Sequence, residues 1–289
     1  MFSFFSKNKK VIGLDITEDR IRYVEVLIKG DKKSIISYGE ERVANVEPRN
    51  ALMSTLSGIK RKRKVLNAVV SLPADIVRFE NVSIYNTDSL EVFDAINFKL
   101  VEENRLSSKE AVLFYEKSAH SEKQTTYNVA VSSPENIAFF KSVFKNSDIN
   151  ILRFVSRKEA LVKSCIKEGN LIPAMIVNAE VSFTDFVIFD SFNQTKEVNL
   201  NVPKENIPEV LKELYLDFYK KNNQKIGYIF ACGSLVKEPS FINYLGTHTR
   251  LPVEEADVFV NLNLEKGEIP TITKEESFSY AVALGLALS

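Results

Sequence analysis

Apolar and polar positions along this chain follow two periods, and the places where the period changes mark its elements. Residues 10–16, then roughly 20–28 and 33–43, are runs of β-branched and aliphatic residues separated by turn chemistry, including Gly30–Asp31, and they predict three strands. Pro48 suits the first turn of a helix predicted over 48–60. VLNAVVSL, ending at Pro73, reads as a buried strand, and IVRFENVSI (76–84) alternates like another. DSLEVFDAINFKLVEENRL then takes up helical spacing, with Thr87 or Asp88 as N-cap and Leu90, Phe93, Ile96 and Leu100 on one face. AVLFYEKSA and TTYNVAVSS predict a strand pair. Ser133–Pro134 opens a helix that turns Ile137, Phe140 and Phe144 inward. The strand NILRFV follows, and Ser156-Arg157-Lys158-Glu159 has the spacing of a capping box on a helix reaching about residue 168.

The second half repeats the order of the first. MIVNAEVSFTDFVIFDSFNQTKEVNLNV (175–202) gives apolar strand, polar turn, apolar strand, turn and third strand, as 10–43 does. Ile207, Val210, Leu211, Leu214, Tyr215, Phe218 and Tyr219 then mark a long amphipathic helix. IGYIFACGS predicts a strand running into a tight turn at Gly233–Ser234, followed by a helix through Phe241 to Leu245, the short strand LPVEEA and a terminal apolar helix, SFSYAVALGLAL. A duplicated three-strand-plus-helix unit, interrupted in its first copy, predicts an α/β fold with two lobes of the actin and sugar-kinase kind. The expected division is 1–66 with 154–174 as the first lobe, 67–153 as an inserted subdomain, and 175–289 as the second lobe.

Composition narrows the function. The 289 residues carry 38 Lys+Arg against 38 Asp+Glu, and a net charge of zero argues against a nucleic-acid-binding surface. No apolar stretch reaches the ~18–20 residues of a membrane-spanning helix. Cys165 and Cys232 are far apart and lack metal-ligand spacing, which suits a reducing, cytoplasmic setting. His120 and His248 are the two histidines, too few for an imidazole-based metal site. The basic run at 60–64 could meet anionic lipid headgroups or simply form a solvated helix end. MFSFFSKNKK offers the same pair of readings: a membrane contact through Phe2, Phe4 and Phe5 backed by lysines, or a locally packed or disordered terminus.

VIGLDITEDRIRYVEV, VVSLPADIVRFENVSI with its following helix, YIFACGSLVKEPSFINYL, RLPVEEADVF and YAVALGLAL, taken in this order, resemble the type IV pilus assembly protein PilM family. That family belongs to the actin-like (ribonuclease H-like) superfamily and shares its inserted subdomain with FtsA. The resemblance implies a cytoplasmic scaffold, peripheral to the inner face of the membrane, that binds the short cytoplasmic tail of a PilN-like membrane protein. It names the pilus motor ATPase or a platform protein as further candidate partners, and it leaves self-association open. The groove implied for the tail is lined by 67–100 and 145–160, with Phe79, Val82 and Ile84 as candidates for either partner contact or core.

The same resemblance locates the nucleotide-site positions at Asp15, Thr17, Asn178, Glu180, Gly233 and Ser234. In the superfamily, glycine-containing hairpins approach phosphate while carboxylates organise hydrated Mg²⁺. Here Thr17 stands where glycine is usual, and the Asp-x-Gly of the second hairpin becomes Asn178-Ala179-Glu180. Cys232 adds bulk before Gly233, and the adenine-side subdomain is missing between about 200 and 204. The expectation is a degenerate site in which ATP·Mg²⁺ binds weakly or not at all, no hydrolysis, no catalytic residue and no resident metal. Against it stand an ATP-binding actin-like protein, an FtsA-like division factor that associates with the membrane, and a sugar-kinase-type phosphotransferase, which would need intact glycine turns and a catalytic aspartate.

Overall fold

The computed structural model describes residues 9–17, 20–43, 48–61, 67–73, 76–167, 173–190, 195–238, 240–262 and 271–289. In chain order the elements are β1 (Lys9–Ile16), β2 (Arg20–Lys29), β3 (Lys32–Arg42), α1 (Pro48–Arg61), β4 (Asn67–Ser71), β5 (Arg78–Tyr85), α2 (Val92–Glu102), β6 (Ala111–His120), β7 (Gln124–Ser132), α3 (Pro134–Asn146) and β8 (Asn150–Phe154). There follow α4 (Arg157–Cys165), β9 (Ala174–Ala179), β10 (Thr184–Phe189), β11 (Thr195–Leu200), α5 (Ile207–Asn222), β12 (Tyr228–Cys232), α6 (Phe241–Thr249), β13 (Val253–Glu255), α7 (Lys274–Ser277) and α8 (Ala281–Leu288). The described residues form two compact units: those of Met1–Asp15, Arg22–Glu40 and Arg157–Ser289 make the first, and those of Ile16–Ile21 and Glu41–Ser156 the second.

The first unit carries the predicted repeat. β1, β2 and β3 lie in the order β3-β2-β1, and β9, β10 and β11 lie in the matching order β11-β10-β9. β10 pairs antiparallel with both neighbours, placing Asp185 opposite Asn178. β12 joins the other side of β9 in parallel, with Cys232 opposite Asn178, and β13 pairs parallel with β12. Val11, Ile12, Leu14, Ile21, Val24 and Val26 are buried, as are Met175, Ile176, Val177, Phe186, Val187 and Ile188. Strands with both faces covered need such unbroken apolar runs, which is why the sequence shows runs here and not alternation. A single 3₁₀ turn, Lys204–Asn206, leads from the end of β11 into α5, with no subdomain between them. α5 buries Ile207, Leu211, Leu214 and Phe218 at helical spacing. α8 is buried throughout, and a methyl group on its Gly285 would overlap the main-chain carbonyl of Ala160 on α4. That close approach requires glycine.

In the second unit, α2 lies on the three-stranded antiparallel sheet β5-β7-β6. Val82, Ile84, Val92, Ile96, Leu100, Val112, Val129 and Val131 make its core. α3 starts as the sequence indicates, with the Ser133 side chain accepting from the Asn136 amide and Pro134 in the first turn. Two sequence expectations are corrected on α2. The helix begins at Val92 with Glu91 at the N-cap, while Thr87 donates its hydroxyl to the Glu91 carboxylate at 2.9 Å. Leu90 and Phe93 do not face the core; they are 92% and 45% exposed. The core is completed by Val92 instead, so the inward face is rotated from the predicted one. Of the basic run at 60–64, Lys60 pairs with Asp148 at 2.9 Å, and the positions beyond Arg61 lie outside the described residues. MFSFFSKN lies outside them too.

Candidate functional site

The two hairpins of the repeat close in the same way. The Thr17 amide donates to the Arg20 carbonyl at 2.9 Å, and the Glu180 amide donates to the Phe183 carbonyl at 2.9 Å. Asp15, Thr17 and Arg22 therefore stand at the same places in one hairpin as Asn178, Glu180 and Asp185 in the other. Thr17 spends its hydroxyl within its own turn, on the Arg20 carbonyl at 3.1 Å. The remaining positions meet inside the first unit, where two arginines bind the carboxylates between them.

Arg157, at the first position of α4, is buried. Its Nη1 donates to Asp15 Oδ1, and its Nε and Nη2 donate to Asp185 Oδ2 at 3.2 and 2.9 Å. Its guanidinium also lies 4.7 Å from the centroid of the Phe183 ring. Asn178 Nδ2 donates to the same Asp185 oxygen at 2.8 Å, and Cys232 Sγ donates to Asn178 Oδ1 at 3.6 Å. Arg22, near the start of β2, forms the second node. Its Nη1 and Nη2 grip both oxygens of Glu180 at 2.5 and 3.0 Å, and its Nε reaches Glu40 at 2.7 Å. Ser234 Oγ donates to Glu180 Oε2 at 2.7 Å. Gly233, just before it, has φ +95° and lies so close to the Ala179 backbone that a methyl group would overlap it. Only glycine suits that place.

Burial opposes the charge on Arg157, yet Asp15 and Asp185 outweigh it and hold the guanidinium above its ordinary pKa. Burial opposes Arg22 in the same way, and Glu180 outweighs it. For Asp15, burial pushes the carboxyl up and Arg157 pulls it down. Burial is the larger effect, and the carboxyl sits above its usual range. Burial raises the Cys232 thiol well above its usual range, so it is an inert donor here and no nucleophile. Among the described residues no group of three or more His, Cys, Asp or Glu side chains could hold a metal ion.

The sequence pointed to Asp15, Asn178, Glu180 and Ser234 but missed Arg22, Arg157 and Asp185. A signal was present. Charged residues inside the buried strands IRYVEV and TDFVIF need partners, and an arginine in the first turn of a helix opposes the helix dipole. Of the partner candidates, Val82 and Ile84 are core residues of the second unit, and Phe79 is half-buried.

Beside this network Tyr38 and Tyr280 pack edge to face, with centroids 5.4 Å apart, and Tyr38 donates to Glu276 at 3.2 Å. Burial, reinforced by the Glu40 charge, pushes the Tyr280 hydroxyl up to about 12. The folded state therefore holds the phenolic proton more tightly than the unfolded chain does. Its contribution to stability is complete below about pH 10 and is lost as pH rises through about 12. Denaturation midpoints measured at neutral pH and above pH 10 should show this fall, and Tyr280→Phe should make it shallower.

No family model matches the sequence, and no curated protein matches it. Solved structures do. A chain of the PilM-PilN type IV pilus biogenesis complex superposes with a TM-score of 0.74 at 12% identity, covering 96% of this chain and 97% of that one. This chain has the actin-like fold. The ethanolamine utilization protein EutJ from Carboxydothermus hydrogenoformans gives a TM-score of 0.56 at 10% identity, over 97% of this chain and 89% of that one. A Bacteroides thetaiotaomicron protein with an actin-like ATPase fold and unknown function gives 0.50 at 13%, over 92% and 100%. Among the described residues, no helix is long and apolar enough to cross a membrane.

Proposed function

We propose that this chain is a non-enzymatic scaffold of a type IV pilus or related secretion platform. It works at the cytoplasmic face of the inner membrane and captures the short cytoplasmic tail of a PilN-like membrane protein. The end-to-end likeness to a chain of the PilM-PilN complex supports the partner class. One observation carries the non-enzymatic reading: Asp15, Asp185 and Glu180, the carboxylates at the phosphate hairpins, are already bonded to the chain's own Arg157 and Arg22.

A magnesium-bound triphosphate does not fit those residues. Mg²⁺ is held through carboxylates and waters, and Asp15 and Asp185 spend their oxygens on a guanidinium. A phosphate approaching the second hairpin meets the Glu180 carboxylate where superfamily members present glycine, and like charges at short range cost up to a few kcal/mol near a surface. The actin-like frame is kept while its internal cations take the place that a ligand would neutralise.

The test is a titration of the chain with a peptide copying a PilN-type N-terminal tail, with and without Mg·ATP. Equal affinity in both arms is expected, together with no ATP binding by calorimetry for the parent chain or for Asp15→Ala. Peptide binding that requires ATP would overturn the nucleotide-independent reading, and absence of binding in both arms would overturn the partner.

A further inference from the structure

The second unit leaves an apolar surface along α2 and the turn before it, where only Phe93 has a ring neighbour among the described residues, Tyr115 at 6.2 Å. Leu90 is 92% exposed, Phe98 70%, Val101 57% and Phe93 45%, and Tyr85 at the end of β5 is exposed as well. These five make up half of the exposed large hydrophobic residues among those described, within residues 85–101. At about 100° per residue, Phe93, Val101 and Phe98 fall within one arc of roughly 140°, and Leu90 stands in the turn just before the helix. Val92, Ile96 and Leu100 fill the opposite, buried side. The helix is apolar on two faces, and its own sheet covers one of them.

The polar residues around this arc define what could cover it. Asn97, inside the arc, turns its amide back to the Phe93 carbonyl at 2.9 Å, so its donor is already engaged. Asp94 also lies inside the arc, and Glu91 and Glu102 border it beyond Phe98. Lys99 sits further round, held by Glu102 and Glu103 at 3.2 Å. The surface is an apolar face interrupted by Asp94 and Asn97 and bordered by Glu91 and Glu102. A second copy of the chain would bring its own Glu91, Asp94 and Glu102 against the same residues, and facing like charges disfavour that pairing. An anionic bilayer is disfavoured for the same reason.

We propose that the exposed face of α2 docks a basic amphipathic helix of a partner protein. Apolar residues of that helix at i, i+3 or i+4, and i+7 would cover Leu90, Phe98 and Val101, and its Lys or Arg residues would meet Asp94, Glu91 and Glu102. This inference is independent of tail capture, since it rests on α2 alone.

The probe is a fluorescent synthetic helix of about five turns, with leucines on one face flanked by lysines, titrated against the full chain by anisotropy. Binding is expected to weaken by at least about tenfold in Phe98→Asp and in Leu90→Asp, and to fall with salt. The same helix flanked by glutamates should not bind. Because both positions are exposed, the variants should melt with the parent chain, and their melting curves check this. Equal binding by Phe98→Asp, or by the glutamate-flanked helix, would overturn the proposal. So would self-association in sedimentation that Phe98→Asp abolishes, or pelleting of the parent chain, but not of the variant, with phosphatidylserine vesicles.

Discussion

Replacing Arg157 with alanine is expected to destabilise the chain by about 3–5 kcal/mol, the range for removing one partner of a buried ion pair. The reason lies in what stays behind. Asp15 and Asp185 are buried, and without the guanidinium both lose the cation that bonds them. Urea denaturation at neutral pH measures the loss. Towards acid pH the loss should shrink, because burial holds the Asp15 carboxyl above its usual range and it can take up a proton. A second variant separates charge from shape: Arg157→Met combined with Asp15→Asn and Asp185→Asn should recover most of the stability, since neutral groups of similar volume avoid the desolvation cost that charges must offset. A loss below about 1 kcal/mol in Arg157→Ala would mean the pair is solvated and the site open.

The second large effect is expected at Gly285. Gly285→Ala adds one carbon that overlaps the Ala160 carbonyl, and both α4 and α8 are held by buried neighbours, so neither can move aside cheaply. The expected cost is about 3 kcal/mol, the upper end for overpacking a core. Gly58→Ala is the control. Gly58 lies within α1, and an added carbon there meets nothing within 4 Å. With no clash, the better helix propensity of alanine should raise stability by about 0.5–1 kcal/mol. Opposite signs from the same substitution in two helices would separate backbone approach from propensity, and equal signs would contradict the packing of α8 on α4.

Much of the fold is legible because its strands and helices announce themselves locally. The short, β-branched runs VIGLDI and MIVNA, each ended by turn chemistry, read as buried strands, and Ser133–Pro134 reads as a helix start. The site is legible only in halves. Asp15 and Glu180 stand out because a hairpin puts them there. Their partners do not stand out: Arg157 is 142 residues from Asp15, and Arg22 is 158 from Glu180. A local pattern carries no information about such pairs. At Ser156–Glu159 the capping-box spacing even hides the arginine inside a motif that explains its neighbours. α2 misleads for another reason. Leu90, Phe93, Ile96 and Leu100 share helical spacing, but spacing shows which residues are apolar and not which side the sheet covers.

The way α8 closes the first unit also orders the birth of the protein. A chain leaving the ribosome presents β1 to β3 before residues 41–156, and the latter belong with 16–21 to a unit that has a core of its own. The strand β1 must wait. Gly13 lies against the backbone of residues 283 and 287, so the face of β1 that touches them stays uncovered until α8 has been made. For that interval a greasy ribbon is open to any stray partner, which makes the newborn chain a natural client for a holding chaperone.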